Sequence, residues 1–563
     1  MNPARLLEHF DRISEAPDAV PRLRRFILDL AVRGKLVAQE RHGESASELL
    51  KRIERKTQPA TTGSRGSLAL ERPQGREPFA IPMSWAWTTL GHLAIKISDG
   101  THKTPTYTTS GVPFVSVKDF SSGELSFSNA RFISPDEHRV LYRRCDPRRG
   151  DILIGRIGTL GKPVLVETDT EFSLFVSVGL IRFDQDLTNR RFLRLLLGSP
   201  LVESEFARIK VGGATHTNKL NLGDLHTVAL PFPPLAEQHR IVAKVNELMT
   251  LCDRLEAAQS ERERRRDRVV VASLDRINRI AGDRSIDDAA RFHLAQFPKL
   301  TLRAGQVEPL RQTILNLAVR GRLVTQCPHD EPAAALLDGR HLALEPGIEP
   351  WKLPAGWAWS CYGKLGQAIG GGTPTKGAPE FWDGTIPWVS PKDMKVDFVA
   401  DSQDHISELA LAHSAAKLIP ADALLMVVRG MILAHSFPVA ITTVPVTINQ
   451  DMKAIVPFRS DFIRMLLLIS KAMKPEILKL VLRSTHGTCK LLTEDLFSAP
   501  LPIPPLAEQS RIIARVTELS SMCDRLAAAL EARKGAEARL LDALLHEALS
   551  EDSRVGEPGR RRH

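Results

Sequence analysis

The chain repeats itself, and this repetition constrains its fold more than any other feature of the sequence. The segment PPLAEQHRIVAKVNELMTLCDRLEAA at 233–258 returns at 504–529, with 18 of 26 positions identical without gaps. A second segment, ILDLAVRGKLV at 27–37, returns at 314–324 with 9 of 11 positions identical. Two anchors that occur in the same order twice indicate two copies of one structural plan.

The stretches between these anchors match more weakly, but in the same order. Trp85-Ala86-Trp87 corresponds to Trp357-Ala358-Trp359, and the motif VSVKD at 115–119 corresponds to VSPKD at 389–393. Each copy therefore comprises a helical segment, a variable globular segment and a long helix. We expect an internal pseudo-two-fold duplication in which the helices stay alike and the globular segments differ.

Two long helices are predicted after the proline pairs at 233–234 and 504–505, because proline suits the start of a helix. Apolar residues then recur at alternating spacings of three and four, which is typical of a helix that packs along a partner helix. We expect the helices to reach about Ile280 and about Leu549. The seam predicted to form a coiled-coil or subunit interface consists of Ile241, Val245, Leu248, Leu255, Ile512, Val516, Leu519 and Leu526.

A charged run, ERERRRDR at 261–268, interrupts the seam of the first long helix. It is interpreted either as a solvated face or as a contact with a DNA backbone or an acidic partner.

The globular segments combine short strands with apolar helical stretches, so the predicted fold class is α+β. Two mixed α/β domains are expected to be separated by long antiparallel coiled-coil helices. The predicted strands lie at 112–117, 151–155, 163–167 and 176–183, and at 386–390, 423–428, 439–444 and 452–458. The predicted regions are a helical region at 1–78 with a linker at 58–75, a first domain at 79–232, a central helical region at 233–349, a second domain at 350–503, and a long helix with a basic tail at 504–563.

Catalytic motifs are missing from the sequence. The closest approach to a phosphate-binding loop, GRIGTLGKP at 155–163, has Arg156 in place of the first glycine and Pro163 in place of the hydroxyl residue. The six cysteines form no Cys-x-x-Cys pair, and the 17 histidines show no ligand spacing. We therefore assign no catalytic or metal-binding residue, and a binding scaffold is favoured over an enzyme.

Composition restricts the cellular setting. The 76 basic and 66 acidic residues leave a net charge of +10, a mild bias towards polyanions. No apolar run approaches the ~18 residues of a membrane span, and the acidic residues near the start do not fit a secretory signal. Sparse cysteines fit a reducing compartment, so we expect a cytoplasmic protein without a membrane partner.

Two similar modules on a common spacer could read two separated short DNA sites, with polar groups on base edges and basic groups on phosphates. Loops of each globular segment carry such groups, and each of them alone could equally be an ordinary solvated side chain. The predicted DNA-binding residues are Thr101, His102, Lys103, Lys118, Arg156, Lys162, Asn218 and Lys219 in the first copy, and Thr373, Lys376, Lys392, Arg429 and Lys490 in the second.

The repeated motifs resemble a known family. PPLAEQ followed by Arg-Ile, at 233–241 and 504–512, resembles the conserved region of the specificity subunit of type I restriction-modification enzymes. LAVRG followed by Lys or Arg, Leu and Val resembles another repeated segment of that family. GTP at 372–374 followed by IPWVSPKDM at 386–394 resembles the start of its target recognition domains. The first copy departs from this pattern, with DGTHKTP at 99–105.

The resemblance implies that each globular domain reads half of a bipartite, asymmetric DNA site. It also implies that the long helices dock two modification subunits, which carry S-adenosylmethionine and methylate adenine. Motor-nuclease restriction subunits, which use ATP and Mg²⁺, would join them. This chain would hold no cofactor and perform no catalysis.

Three alternatives remain at this point. The chain could be a solitary two-site DNA-binding regulator, an enzyme such as a nuclease or ATPase with an unrecognised site, or a coiled-coil scaffold that does not bind DNA.

Overall fold

The computed structural model describes residues 16, 18–40, 43–57, 77–213, 216–279, 303–344, 349–483 and 488–550. The predicted linker at 58–75 and the predicted basic tail beyond 550 lie outside these residues. The chain divides into two compact units, Met1–Arg262 with Lys534–His563, and Glu263–Arg533. Each unit thus contains one globular segment, together with the end of the long helix that begins in the other repeat.

The first unit contains twelve strands in the described ranges. They are β1 (Ala86–Thr89), β2 (Ala94–Asp99), β3 (Tyr107–Thr108), β4 (Val112–Val115), β5 (Arg131–Ile133), β6 (Ile152–Gly155), β7 (Gly161–Leu165), β8 (Ser173–Leu174), β9 (Val178–Phe183), β10 (Val211–Gly213), β11 (His216–Lys219) and β12 (Ala229–Phe232). Two four-stranded sheets have the orders β2-β9-β6-β7 and β3-β5-β4-β8, and two strand pairs are β1-β12 and β10-β11.

The helices that begin in the first unit include one of 45 residues, about 67 Å long at 1.5 Å per residue. They are α1 (Ala19–Val32), α2 (Ala46–Thr57), α3 (Leu90–Leu93), α4 (Pro135–Tyr142), α5 (Arg190–Leu197), α6 (Pro200–Ile209), α7 (Leu222–Leu225) and the long α8 (Leu235–Arg279). A 3-10 turn spans Val117–Asp119.

The second unit contains a further twelve described strands. They are β13 (Ala358–Ser360), β14 (Gly366–Gly370), β15 (Ile386–Val389), β16 (Phe398–Val399), β17 (Asp404–Ile406), β18 (Leu424–Val427), β19 (Val439–Thr442), β20 (Thr447–Ile448), β21 (Met452–Pro457), β22 (Leu482–Arg483), β23 (Cys489–Lys490) and β24 (Leu501–Ile503). Its sheets have the orders β14-β21-β18-β19-β16 and β17-β15-β20, and its strand pairs are β13-β24 and β22-β23.

The last of the helices that begin in the second unit is the second helix of 45 residues. They are α9 (Val307–Val319), α10 (Ala333–Leu337), α11 (Tyr362–Leu365), α12 (Glu408–His413), α13 (Ile463–Ala472), α14 (Lys474–Lys479), α15 (Thr493–Ser498) and α16 (Leu506–Ser550). The 3-10 turns are Ala304–Gln306, Pro379–Phe381, Met431–Ala434 and Ser460–Phe462. Within the described ranges, no helix combines the length and apolar character that a bilayer crossing needs.

The two units share one sheet plan, so the predicted duplication and fold class are confirmed. The order β2-β9-β6-β7 recurs as β14-β21-β18-β19, with antiparallel pairing throughout. The second sheets also correspond, since β4 pairs in parallel with β8 as β15 does with β20. All eight strands predicted from sequence are present. The predicted domain boundaries stay a prediction, although β1-β12 and β13-β24 pair the two ends of each globular segment.

The repeated PPLAEQ motif attaches each long helix to its own repeat. In the first unit Gln39 donates to Glu237 at 2.6 Å, and the backbone amide of Asn189 donates to Gln238 at 2.8 Å. In the second unit Gln326 and Trp357 donate to the two carboxylate oxygens of Glu508 at 2.6 and 2.9 Å. Glu237, Gln238 and Glu508 are buried, so each bond also avoids the cost of a buried group without a partner.

The repeated LAVRG motif ends the short helices α1 and α9. Gly34 and Gly321 follow these helices with φ values of 69° and 66°, which glycine adopts without strain. A Cβ at either position would also lie 2.3–2.4 Å from a proline ring, that of Pro82 or Pro354. The motif therefore recurs because the chain must reverse at this point against a packed proline.

The short helix of each repeat packs on two sides. On one side Arg24 forms ion pairs of 2.7 Å with Asp253 and Glu256 of α8, and Arg311 pairs with Asp524 of α16 at 2.5 Å. On the other side, Phe26 and Leu30 of α1 share a buried cluster with Leu541 and Leu545 of α16. Likewise Leu310 and Leu317 of α9 pack against Val270, Leu274 and Ile277 of α8. The last turns of each long helix thus complete the core of the unit that contains the other repeat.

The predicted seam requires a correction. Ile241, Val245 and Ile512 are fully buried within the core of their own unit, so they offer no surface to a partner chain. The pattern of three and four is instead satisfied by the short helix and sheets of the same repeat. Val516, Leu248, Leu255, Leu519 and Leu526 join the same cores, and their assignment to a coiled-coil or subunit interface stays a prediction.

Leu541→Asp should destabilise the protein by several kcal/mol, because it places an unpaired carboxylate among apolar side chains. Leu541 has no exposed surface in the cluster around Phe26 and Leu30. Denaturant unfolding measures the effect, with Ala536→Asp on the exposed face of the same helix as the matched control. Equal stability of the two variants would contradict the packing of α16 on α1.

Glu508→Ala should lower the free energy of unfolding by about 1–3 kcal/mol, because it leaves the N–H groups of Gln326 and Trp357 without an acceptor. Burial raises the pKa of Glu508, so the folded state holds its proton to higher pH than the unfolded state. This group therefore makes the wild type less stable as pH rises through the interval between the two pKa values, and the variant should lack that dependence. Unfolding curves from pH 4 to 8 test both points, with exposed Glu531→Ala as the control.

Candidate DNA interface

In the first unit, one short segment joins the loops that carry the predicted DNA-binding residues. This segment, residues 174–178, is named the first junction. Its backbone hydrogen bonds reach Thr101 at 2.9 Å, Val115 at 2.9 Å and Arg156 at 2.8 Å. The loop at 100–107, the VSVKD turn and the end of β6 therefore meet at one place.

In the second unit, residues 448–452 form the equivalent second junction. The amide of Gly372 donates to Ile448 at 2.9 Å, and the amide of Asn449 donates to Val389 at 3.0 Å. The amides of Val428 and Arg429 both donate to the carbonyl oxygen of Asp451, at 2.8 and 3.1 Å. Because these bonds are main-chain bonds, the same joint forms in both units while the side chains around it differ.

A hairpin brings a further loop to each junction. The amide of Gly158 donates to the carbonyl oxygen of Asn218 at 2.9 Å, and the amide of Gly430 donates to that of Cys489 at 3.0 Å. Lys219 and Lys490 are the next residues, and both are exposed. The hairpins β10-β11 and β22-β23 thus place Lys219 and Lys490 beside the loops that follow β6 and β18.

The repeated VSxKD motif forms a capped turn that projects a lysine. The amide and hydroxyl of Ser116 donate to Asp119 at 2.7 and 2.9 Å. Ser390 donates in the same way to Asp393 at 2.8 and 2.9 Å. The aspartate is therefore occupied by the turn, and Lys118 and Lys392 lie exposed between the paired residues.

Most of the predicted residues are accessible in the structure. Thr101, Asn218 and Thr373 are half-buried, and Thr373 donates to Gln450. The exposed residues are His102, Lys103, Lys118, Lys162, Lys219, Lys376, Lys392, Arg429 and Lys490. Each unit therefore presents several cationic side chains around its junction, an arrangement suited to a phosphate backbone. The binding role of each residue stays a prediction.

Arg156 is the exception, and the sequence-based assignment needs correction. Its guanidinium is 8% exposed and donates to the carboxylate of Asp99, to Leu220 O at 2.9 Å and to Val176 O at 3.2 Å. Arg429, by contrast, is about half exposed. Arg156 is therefore an interior ion-pair residue and not a group free to contact DNA.

The sheet register explains why the two arginines differ. Gly155 pairs with Val178 in the first unit, and Val427 pairs with Met452 in the second. The position equivalent to Arg156 is therefore Val428, and the one equivalent to Arg429 is Ile157. A shift of one residue along a strand turns a side chain to the opposite face, so one arginine points inward and the other outward.

Several further residues lie beside the two junctions and were not predicted from the sequence. Arg144 is half exposed and donates to Asp99 at 2.8 Å, and Gln450 is exposed at the second junction. Met431, 63% exposed, follows Arg429 closely and offers an apolar surface. Lys453 lies on β21, where strand pairing brings it opposite Gly370. No motif marks these positions, because they become neighbours only through strand pairing and loop closure.

An ion-pair network joins β2 and β9 of the first unit to the loop before β6. Lys96 and Arg182 pair with Asp146 at 2.7 and 3.2 Å, and Arg182 also pairs with buried Asp151 at 2.7 Å. Burial by itself would raise the pKa of Asp146, but hydrogen bonds from Lys96 and Arg182 outweigh it and lower the pKa to about 2. The Asp146 carboxyl group is therefore ionised at neutral pH, and its ion pairs connect β2, β9 and the loop before β6.

Aromatic pairs pack beside the loops at 100–107 and 371–376. Tyr107 packs edge-on against Phe114, with ring centroids 6.0 Å apart. In the second unit Trp382 packs edge-on against Trp388 at 5.1 Å, and Trp388 donates to Gly372 O at 2.9 Å. Phe114 and Trp388 stand at the same position before VSxKD, so each loop rests on a ring from the strand beneath it.

Among the described residues, no group of three His, Cys, Asp or Glu side chains could hold a metal ion.

Comparison with known proteins identifies the family. The model described as "Type I restriction modification DNA specificity domain" matches residues 88–263 and 354–533. The specificity subunit of the type I restriction enzyme EcoAI from Escherichia coli is 26% identical over 597 residues, covering 94% of each chain. The EcoEI specificity subunit from Escherichia coli is 25% identical over 587 residues, again covering 94% of each chain. The HsdS subunit of Thermoanaerobacter tengcongensis, known from a crystal structure, is 20% identical, with 84% of this chain and 98% of that chain covered and a TM-score of 0.37.

The match with the family model occurs once in each repeat and spans more than half of the chain. Both Escherichia coli relatives are named as specificity subunits, not as methyltransferases or nucleases. The resemblance inferred from the repeated motifs is confirmed, and the chain belongs to the type I restriction-modification DNA specificity family.

Proposed function

We propose that this chain is the non-catalytic subunit that reads a bipartite, asymmetric DNA site, with one half-site for each unit. The observation that carries the proposal is the pair of equivalent junctions, built from the same main-chain bonds but surrounded by different side chains. A shared backbone gives both units the same mode of approach to the duplex. Different side chains around it give each unit its own base preference.

Contacts divide into two classes in this proposal. Lys118 and Lys392, held by identical capped turns, contact phosphates and set the register of each unit on the duplex. The recognition loops at 100–107 and 371–376 and the β10-β11 and β22-β23 hairpins carry the groups that reach base edges. These segments differ between the repeats, as an asymmetric site requires.

Two modification subunits would dock on the long helices and supply adenine methylation from S-adenosylmethionine. Restriction subunits using ATP and Mg²⁺ would join them in the cytoplasm. The docking surface is supported by Leu251 and Met522, which occupy equivalent positions on α8 and α16 and are 50% and 49% exposed. An exposed apolar side chain repeated at the same place on both helices suits two copies of one partner.

Selection from randomised duplex DNA tests the bipartite reading directly. The full chain, assembled with its modification subunits, should enrich two short motifs at one fixed spacing. Exchange of residues 79–232 for the corresponding domain of another family member should change one motif and leave the other. A single continuous motif, or two motifs that both change, would contradict one half-site per unit.

Lys118→Ala and Lys392→Ala should each weaken DNA binding without changing base preference. Loss of one phosphate contact lowers the slope of log affinity against log salt concentration by about 1. Titration of a fixed duplex at several salt concentrations measures this slope, and Lys364→Ala, an exposed lysine on α11, serves as the control. A changed base preference with an unchanged salt slope would assign these lysines to base edges instead.

A further inference from the structure

Asp99 accepts hydrogen bonds from three side chains beside the first junction, those of two arginines and one histidine. It is 1% exposed at the end of β2, directly before the recognition loop. Its carboxylate accepts hydrogen bonds from buried Arg156, from Arg144 at 2.8 Å and from His102 at 2.9 Å. Arg144 and His102 are 56% and 58% exposed, so a single buried group holds two side chains that face solvent beside the first junction.

The second unit builds the same backbone without this ion pair. Strand register makes Gly370 equivalent to Asp99 and Val428 equivalent to Arg156. The fold therefore does not require the charged pair. Because buried charges are expensive to desolvate, their presence in only one unit calls for a role other than stability.

A third position changes together with these two. Gly179 lies opposite Asp99 across the β2-β9 pair, and Lys453 lies opposite Gly370 in the second unit. A Cβ on Gly179 would lie 3.1 Å from Cγ1 of Ile154 and 3.4 Å from Cγ of Arg156, so the stem of the arginine lies beside this glycine. A Cβ on Gly370 would lie 3.2 Å from the ammonium of Lys453, which covers the glycine in that unit. The first unit thus has Asp, Arg and Gly where the second has Gly, Val and Lys.

We propose that Asp99 is a positioning residue for DNA recognition by the first unit, holding His102 and Arg144 so that their donors set the base preference of one half-site. Arg156 neutralises the buried carboxylate and ties it to the hairpin through Leu220 O. In the second unit Lys453 supplies the cation at the corresponding place. This inference rests on the proposed reading of one half-site by each unit.

The test uses the full chain assembled with its modification subunits and selection from randomised duplex DNA. Asp99→Ala alone leaves Arg156 buried without its carboxylate and should lower the melting temperature. The double variant Asp99→Ala/Arg156→Met removes both charges, keeps the aliphatic stem and should recover most of the melting temperature. It should still lose roughly tenfold in base discrimination at one or more positions of the first half-site, with the second half-site unchanged.

Two further variants separate positioning from folding. His102→Ala/Arg144→Ala changes only exposed side chains and should reproduce the same loss at the first half-site. Asp169→Ala, which removes the partner of exposed Arg149, is the matched control and should select the wild-type motif. Wild-type base preference in both double variants would overturn the proposal, and so would a uniform loss of affinity with unchanged preference. If the wild-type assembly selects no bipartite motif, the proposed function itself fails. That outcome is seen with the wild type alone, so it is distinct from a failure of the inference about Asp99, which appears only in the variants.

Discussion

The packing of a short helix between two long ones is the constraint on which the rest of this structure depends. In each unit the short helix is held on one side by ion pairs to the long helix of its own repeat. On the other side it buries the last turns of the other repeat's long helix. A long helix with few apolar contacts at its end would fray in water, so this burial is what allows each helix to keep 45 residues. The repeated LAVRG motif forms the turn after each short helix, and the repeated PPLAEQ motif forms the hydrogen bonds at the start of each long helix.

The conserved parts of the repeats and the divergent parts have different physical tasks. Buried Glu237 and Glu508 accept hydrogen bonds from the equivalent residues Gln39 and Gln326. The glutamines beside them, Gln238 and Gln509, donate to the carbonyl oxygens of Pro233 and Pro504, so these bonds are the same in both repeats. Around the junctions, in contrast, main-chain bonds maintain the joint and leave the side chains free to vary. A binding surface can therefore diverge between the units without loss of the fold. This separation suits a protein of the type I restriction-modification DNA specificity family.

The electrostatics of the two interfaces differ in kind. The first unit contains the buried acid Asp99 paired with two arginines, and a second ion-pair network lies around Asp146. At the equivalent place the second unit has a glycine covered by a lysine ammonium. A buried carboxylate fixes the direction of its donors, whereas an ammonium on a flexible stem acts as a mobile point charge. On the same backbone, the first unit thus holds its cationic groups in fixed directions, and the second unit has a cation that can move.

The sequence alone determined the duplication, the long helices, the eight predicted strands and the family, because these depend on periodicity and on motifs of consecutive residues. It also located the loops that meet at each junction, since both copies carry polar groups at matching places. Only the tertiary structure decided which way those groups point. Arg156 and Arg429 both follow a matched strand in sequence, yet a register difference of one residue buries the first and exposes the second. The seam residues Ile241 and Ile512 likewise follow a coiled-coil pattern, but the core of their own unit covers them, because an apolar stripe specifies burial and not the identity of its partner.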